Sequence, residues 1–214
     1  MSETTPSENR PSENTTLVVT FAQPVPEEME RFQRYVGTAT DLSVAAGAVP
    51  TSRFGVRPII GDVPAAVFGF ATFPSTQSVH DVFDSDEYQA IVPDRDKSLA
   101  AVNAYIVDDA PIGDLPAPNG VYLVIAAAPN QENLADLQAY QAGSGPIFAK
   151  HGARPVVQLP VTGQPVGTTP AAFVAVLEFD SAEAVDAVFA DPDYQELVPA
   201  RERGLAALNV YVTT

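Results

Sequence analysis

The sequence predicts an α+β fold in which two like modules, each running β-α-β-β-α-β, pack together within one chain. Three observations carry that prediction. Residues 73–106 (FPSTQSVHDVFDSDEYQAIVPDRDKSLAAVNAYI) and 179–212 (FDSAEAVDAVFADPDYQELVPARERGLAALNVYV) align without a gap, Phe73 against Phe179 and Tyr105 against Tyr211. A period this long means whole domains and not the short units of a solenoid. Upstream of each copy the pattern is strand, helix, strand, strand. The strands are also apolar on both sides, as in Val67, Phe68, Phe70 and in Phe173, Val174, Val176. Helices cover one face of such a sheet, and the other face needs a partner.

Composition sets the outer bounds. The 214 residues divide by the repeat into two modules of domain size. No apolar run approaches the ~20 residues of a membrane span, and the N-terminus lacks a basic start followed by an apolar block, so a cytoplasmic protein is expected. The chain has no cysteine, hence neither disulfides nor thiolate chemistry. Its formal net charge is −16, and Lys97 and Lys150 are the only lysines. Such a surface repels phosphate backbones and anionic headgroups, so neither nucleic acid nor a membrane is an expected partner.

In chain order, residues 1–15 hold polar residues and proline after Met1, which predicts a disordered tail. The first module is placed at 16–108. A β-branched run at Leu17–Ala22 is a strand, and Pro26 with Glu27 and Glu28 opens a helix whose apolar positions Met29, Phe32, Tyr35 and Val36 keep helical spacing as far as Ala46. Residues 50–60 and 64–73 are two strands joined by a turn at Gly61-Asp62. Ser75 caps a second helix ending near Phe83, Asp84–Pro93 is expected to be irregular before a last helical turn at Arg95–Leu99, and the fourth strand is Ala101–Val107. Residues 109–119, with three prolines, suit a linker. The second module, 120–214, repeats the plan, with strands near Val121–Ala127, Arg154–Val161, Ala171–Phe179 and Leu208–Thr213 and helices near Gln131–His151 and Ala182–Ala190. This order is the ferredoxin-like arrangement. The economical assembly packs the two uncovered faces against each other as an intrachain α+β barrel, either as a monomer with pseudo-two-fold symmetry or as a homodimer of such chains.

The run Ala149-Lys150-His151-Gly152-Ala153-Arg154, the strand ending Glu178-Phe179-Asp180-Ser181, and Asp191-Pro192-Asp193-Tyr194-Gln195-Glu196-Leu197-Val198-Pro199-Ala200-Arg201 together resemble the domain-of-unknown-function thirteen-thirty family. That family belongs to the dimeric α+β barrel superfamily, alongside cofactor-free antibiotic-biosynthesis monooxygenases, muconolactone isomerases and polyketide cyclases. The resemblance spans nearly all of 120–214 and, in the first module, about 64–107. Two departures stand out: Ala46-Gly47-Ala48-Val49 has neither the histidine nor the arginine of His151-Gly152-Ala153-Arg154, and neither copy has the family's glutamate-glycine pair after the second strand. The resemblance implies the barrel fold, while a superfamily with many chemistries does not single out a reaction.

Candidate residues follow from what the copies share and where they differ. His80 and His151 are the only histidines and no metal-ligand spacing exists, so no metal site is expected. Nucleotide-binding and hydrolase motifs are absent, and no cofactor is expected. Tyr88 with Arg95, and Tyr194 with Arg201, recur in both copies; they can hold an enolate or carboxylate at a barrel mouth, or they can anchor the segment that carries them. His151 and Arg154 occur only in the second copy, where imidazole can serve as base and guanidinium as anion holder, or His151 can simply end its helix. The expected function is binding of a small apolar or aromatic molecule inside the barrel; turnover of that molecule, by cofactor-independent oxygenase, isomerase or cyclase chemistry, stays open. The alternative is a non-catalytic module whose barrel is filled by its own side chains. Phe54, Phe68, Phe70 and Phe173 facing inward would close that interior, and Ala126–Ala128 with Ala171–Ala175 would open it.

Overall fold

The computed structural model describes residues 15–111 and 115–214. The expected tail lies outside the described residues apart from Thr15, and the expected linker lies partly outside them. Each half opens with a nine-residue strand, β1 (Thr16–Pro24) or β5 (Val121–Pro129), and continues into a seventeen-residue helix, α1 (Met29–Ala45) or α4 (Leu134–Lys150). A short 3-10 turn at Pro26–Glu28 precedes α1, where proline fits a first turn and the acids meet the positive end of the helix. The first half then forms β2 (Val49–Ile60) and β3 (Val67–Phe73). The second half forms β6 (Arg154–Pro160), β7 (Gly163–Val166) and β8 (Phe173–Phe179), so the single strand expected at Arg154–Val161 is divided in two. Helices α2 (Thr76–Phe83) and α5 (Ala182–Ala190) start on Ser75 and Ser181, whose hydroxyls accept the backbone N–H of Ser78 and Ala184.

The segment expected to be irregular, Asp84–Pro93, is mostly helical. Helix α3 (Asp86–Ser98) and its counterpart α6 (Pro192–Gly204) run straight through Pro93 and Pro199 into the last strands, β4 (Leu99–Val107) and β9 (Leu205–Thr213). The prolines predicted a break because each removes one i→i−4 bond. The helices survive because their starts are strongly specified. Ser85 and Asp191 cap them, and Tyr88 and Tyr194 anchor them as buried side chains. The repeated Gln89 and Gln195 reach back to the carbonyls of Phe83 and Phe189, tying each helix to the end of the preceding one. Each half therefore runs β-α-β-β-α-α-β.

All nine strands form one antiparallel sheet, ordered β6-β8-β5-β9-β2-β3-β1-β4-β7. The halves are joined edge to edge by hydrogen bonds and their inner faces meet in a shared lumen, the intrachain α+β barrel that the sequence predicts. The first part of β2 pairs with β3 and its last part crosses to β9 of the other half. Correspondingly, β6 pairs with β8 while β7 pairs with β4. Since β6 and β7 are successive pieces of one stretch, the two ends of the strand order meet and the barrel closes, leaving no long edge open.

Alternation along the strands sends one set of side chains into the lumen and the other towards the helices. Leu17, Val19 and Phe21 of β1, Phe54, Phe68, Tyr105, Tyr122, Val124, Leu159, Val174 and Tyr211 form a single interior core drawn from both halves. Aromatic rings fill it: Phe21 lies 4.9 Å from Phe68 and 5.1 Å from Tyr211, and Phe54 lies 5.8 Å from both Phe68 and Tyr122. Two further cores separate the outer sheet face from the helices, one in each half.

The halves are locked by a contact made twice. Tyr211 donates to the carbonyl of Val63 at 2.9 Å, and Asn209 Oδ1 accepts the Val63 N–H at 3.3 Å. Tyr105 donates to the carbonyl of Thr169 at 2.8 Å, and Asn103 Oδ1 accepts the Thr169 N–H at 3.2 Å. Burial pushes the Tyr105 phenol up to about 12 and raises that of Tyr211 as well, so both remain donors. Gly61 and Gly167 hold φ of 101° and 92° in these loops, and a Cβ on either would strike the clamping asparagine. Gly61→Ala and Gly167→Ala are each expected to cost about 2 kcal/mol or more, through a strained φ and the lost asparagine contact. Chemical denaturation of the two variants checks this; parent-like midpoints would contradict it.

Candidate functional site

Two cavities lie between the sheet and the helices. In the first half a cavity of about 440 Å³ lies between α1 and the outer faces of β1, β2 and β3. In the second half one of about 310 Å³ lies under α4 against β5, β6 and β8. Both volumes fall within the range of small-molecule sites. Their walls are mostly apolar: Val18, Ala22, Phe32, Val36, Val67 and Phe73 in the first, and Ile125, Ala127, Leu137, Phe173, Leu177 and Val210 in the second. Phe173, expected to face inward, instead faces a helix and lines the second cavity, because Val174 and Val176 take the inward positions of β8.

Each cavity has one strongly polar corner, built the same way. Tyr88, projecting from the first turn of α3, is buried and its hydroxyl lies 3.0 Å from that of Tyr35 on α1. Tyr194 of α6 is likewise buried, with its hydroxyl 3.2 Å from that of Tyr140 on α4. All four tyrosines line their cavities. An arginine two turns further along each helix backs the pair. Arg201 donates to the Tyr194 hydroxyl at 3.1 Å with its guanidinium carbon 5.9 Å from the ring centre, while Arg95 Nε donates to Asp96 Oδ1 at 2.9 Å. Burial opposes the charge on Arg95, yet its interactions with Tyr88 and Asp96 leave its pKa above the ordinary arginine value. Burial, and then the neighbouring phenol, raises the pKa of Tyr35 and of Tyr140 well above the usual tyrosine range. Guanidinium can only donate, so the phenol it touches is polarised and keeps its own proton for the second tyrosine or for a ligand.

Thus Tyr88 with Arg95 and Tyr194 with Arg201 are brought together as pairs, and the tyrosine of each lines a cavity while the arginine does not. His151 and Arg154 line neither cavity and make no mutual hydrogen bond or ion pair among the described residues. The His151 ring Nε2 lies 2.8 Å from Asp191 Oδ2, and Lys150 Nζ lies at the same distance from that oxygen. Asp191 also caps α6. The lysine, then the histidine, hold its carboxyl far below the usual carboxylate range. In the first half Ser85 takes the capping position, and Ala45 and Ala46 stand where Lys150 and His151 do. The histidine therefore belongs to a charged cap whose members change together. Arg154 sits half-exposed on β6, paired with Glu178 and Asp180.

Tyr35, Tyr140 and Asp191 are site residues that the sequence reading did not single out. The first helices align one residue closer than Tyr88 does to Tyr194, the same offset that sets Ala46-Gly47-Ala48-Val49 against His151-Gly152-Ala153-Arg154. Carried back along the helix, it matches Gln33-Arg34-Tyr35 with Gln138-Ala139-Tyr140 and so pairs the second tyrosines. Among the described residues no cluster of three or more His, Cys, Asp or Glu is arranged to hold a metal, and no helix is long and apolar enough to cross a membrane.

A closed α+β barrel of two ferredoxin-like halves, with a polar-cornered cleft under each helix layer, is the class defined by this geometry. Comparison with known proteins agrees on the fold. Residues 121–213 match the family described as "Domain of unknown function (DUF1330)". The chain is similar to an anthrone oxidase-like protein, at 14% identity over 94% of this chain and 92% of that one, with a TM-score of 0.58. It is also similar to a mutant chlorite dismutase from Candidatus Nitrospira defluvii, at 10% identity over 94% and 90%, with a TM-score of 0.53. At such identities the likeness speaks for the fold alone. No curated protein matches the sequence.

Two outcomes are expected here. Tyr194 packs edge-on against Phe189, Phe148 and Tyr140, at 5.2, 6.1 and 6.3 Å. Tyr194→Phe should therefore cost about 1 kcal/mol, and Tyr194→Ala about 3–5 kcal/mol through the cavity left behind. Denaturant titrations giving equal losses for the two would contradict this. The depressed Asp191 pKa works in one direction: its stabilisation is complete above the unfolded carboxyl value near ~4 and drains away as pH falls towards the folded value. Asp191→Asn should thus melt below the parent at pH 7, with the gap narrowing at pH 3; a gap that does not change with pH would place its contribution elsewhere.

Proposed function

We propose that the chain is a small-molecule-binding α+β barrel that receives an apolar or aromatic molecule in each helix–sheet cavity, anchored by Tyr88 and Arg95 in one half and by Tyr194 and Arg201 in the other. The observation that carries this reading is a buried phenol, Tyr88 or Tyr194, within hydrogen-bonding distance of a half-buried second tyrosine and backed by an arginine, at the polar corner of an otherwise apolar cleft. A carbonyl or phenol oxygen placed there accepts from a tyrosine whose own oxygen is already held by arginine. In a cleft shielded from water such a contact is stronger than at the surface. The same arrangement favours negative charge developing on that oxygen, as in an enolate or phenolate, which is the species that oxygenase, isomerase and cyclase chemistry without a cofactor has to stabilise. The filled lumen supports the cleft, and not the barrel interior, as the binding place. The similarity to an anthrone oxidase-like protein, whose name denotes an aromatic ketone, is in keeping with this ligand class.

The test uses 2-acetylnaphthalene, a neutral aromatic ketone. Thr40 and Gly145 line equivalent places in the two cavities, and a Cβ at Gly145 meets nothing within 4 Å. NMR titration is expected to show two sites per chain, with Thr40→Leu removing the first and Gly145→Leu the second. Absence of saturable binding, or binding indifferent to both substitutions, would refute the reading.

A further inference from the structure

The two cavities correspond residue by residue, which makes their differences informative. Tyr35 answers to Tyr140, Pro50 to Pro155, Phe83 to Phe189 and Leu99 to Leu205, each pair lining its own cavity. Against this shared frame the second cavity is smaller because Ser43, Val67 and Ala71 are replaced by Phe148, Phe173 and Leu177. One difference concerns charge. Arg53 lines the first cavity, opposite Gly69 in the strand register, and Gln158 lines the second, opposite Ala175.

Arg53 is unusual among the cations of this acidic chain. Arg31, Arg57, Arg95, Arg154, Arg201, Arg203 and Lys150 all pair with carboxylates. Among the described residues the Arg53 side chain has neither a hydrogen bond nor an ion pair, and it is the one such cation lining either cavity. Its neighbours across the strand pair are uncharged, and glycine at position 69 leaves the space beside its stem open. A side chain there would stand 3.1 Å from the Ser52 carbonyl and 4.0 Å from the Arg53 Cβ. A guanidinium exposed at the mouth of an apolar cleft, with its donors unspent, matches a carboxylate on an apolar body. A net charge of −16 makes that local positive point matter more, since an anion is repelled by the rest of the surface.

We propose that the two cavities have diverged in ligand charge: the first selects an apolar molecule bearing a carboxylate, read by Arg53 at its mouth, and the second takes a neutral one beside Gln158. This rests on the cavities being binding sites at all, and the experiment separates the two claims. The probes are 2-naphthoate and 2-acetylnaphthalene, nearly the same shape and different in charge. Methyl NMR of Val36 reports the first cavity and that of Ile125 the second, within one full-length sample. The first cavity is expected to prefer naphthoate, and Arg53→Gln to weaken naphthoate there by roughly five- to tenfold while leaving the ketone within about twofold. The preference should shrink with added salt. Gln158→Arg should confer a carboxylate preference on the second cavity. An unchanged naphthoate-to-ketone ratio at Val36 in Arg53→Gln, with the ketone still bound at both sites, overturns the charge assignment alone. Failure of the ketone at both sites overturns the binding reading and this proposal with it.

Discussion

The structure depends on the clamp that each half places on the other's hairpin. Asn209 and Tyr211 hold the backbone of Val63, and Asn103 and Tyr105 hold that of Thr169. The phenols also supply part of the lumen, so one residue type both seals the joint and fills the core. A ferredoxin-like half on its own would expose Phe54, Phe68 and Phe70 on one sheet face, and the closed sheet buries them against Tyr122, Val124 and Tyr211 of the other half. At about 25 cal/mol per Å² of apolar surface, burying that face outweighs any single hydrogen bond in the molecule. The clamps contribute register, fixing which strand of one half meets which strand of the other.

Filling the lumen leaves the helix–sheet layer as the place for open volume. The open volume lies under the long helices, α1 and α4, while α2 and α5 pack Val79, Val82, Val185 and Val188 into the helix–sheet cores. The tyrosine pairs close one end of each gap. Tyr35 and Tyr140 reach down from the long helices to meet Tyr88 and Tyr194, so the contact that ties the helices together also places hydroxyls at the cavity wall. The packing of these rings and the placing of their hydroxyls at the cavity wall therefore belong to one geometry.

Much of the fold was legible because repetition constrains it. A strand order that must hold twice, with Asn103 and Tyr105 recurring as Asn209 and Tyr211, leaves few arrangements that bury both faces of each sheet. What escaped were features set by tertiary context. Pro93 and Pro199 read as helix breakers, although capping by Ser85 and Asp191 and the buried tyrosines carry α3 and α6 past them. The edge-to-edge joining of the halves follows from β2 changing partners partway, which no local pattern encodes. In the candidate site, Tyr88, Arg95, Tyr194 and Arg201 were visible through repetition, while Tyr35 and Tyr140 read only as core positions of their helices, since nothing local shows which tyrosine each would meet across the fold. His151 and Arg154 drew notice because only one half has them. Their partners, Asp191 for one and Glu178 with Asp180 for the other, lie tens of residues away and were not readable from spacing.

The clefts under α1 and α4, and not the lumen or the surface around His151, are the proposed place for a small molecule. The most direct measurement is a crystal structure of the full chain soaked with 2-acetylnaphthalene. The predicted result is a ring in each cleft with its carbonyl oxygen within hydrogen-bonding distance of Tyr35 or Tyr88 in one half and of Tyr140 or Tyr194 in the other. A ligand lodged among Phe21, Phe68 and Tyr211, or against His151 and Arg154 with both clefts empty, would contradict it.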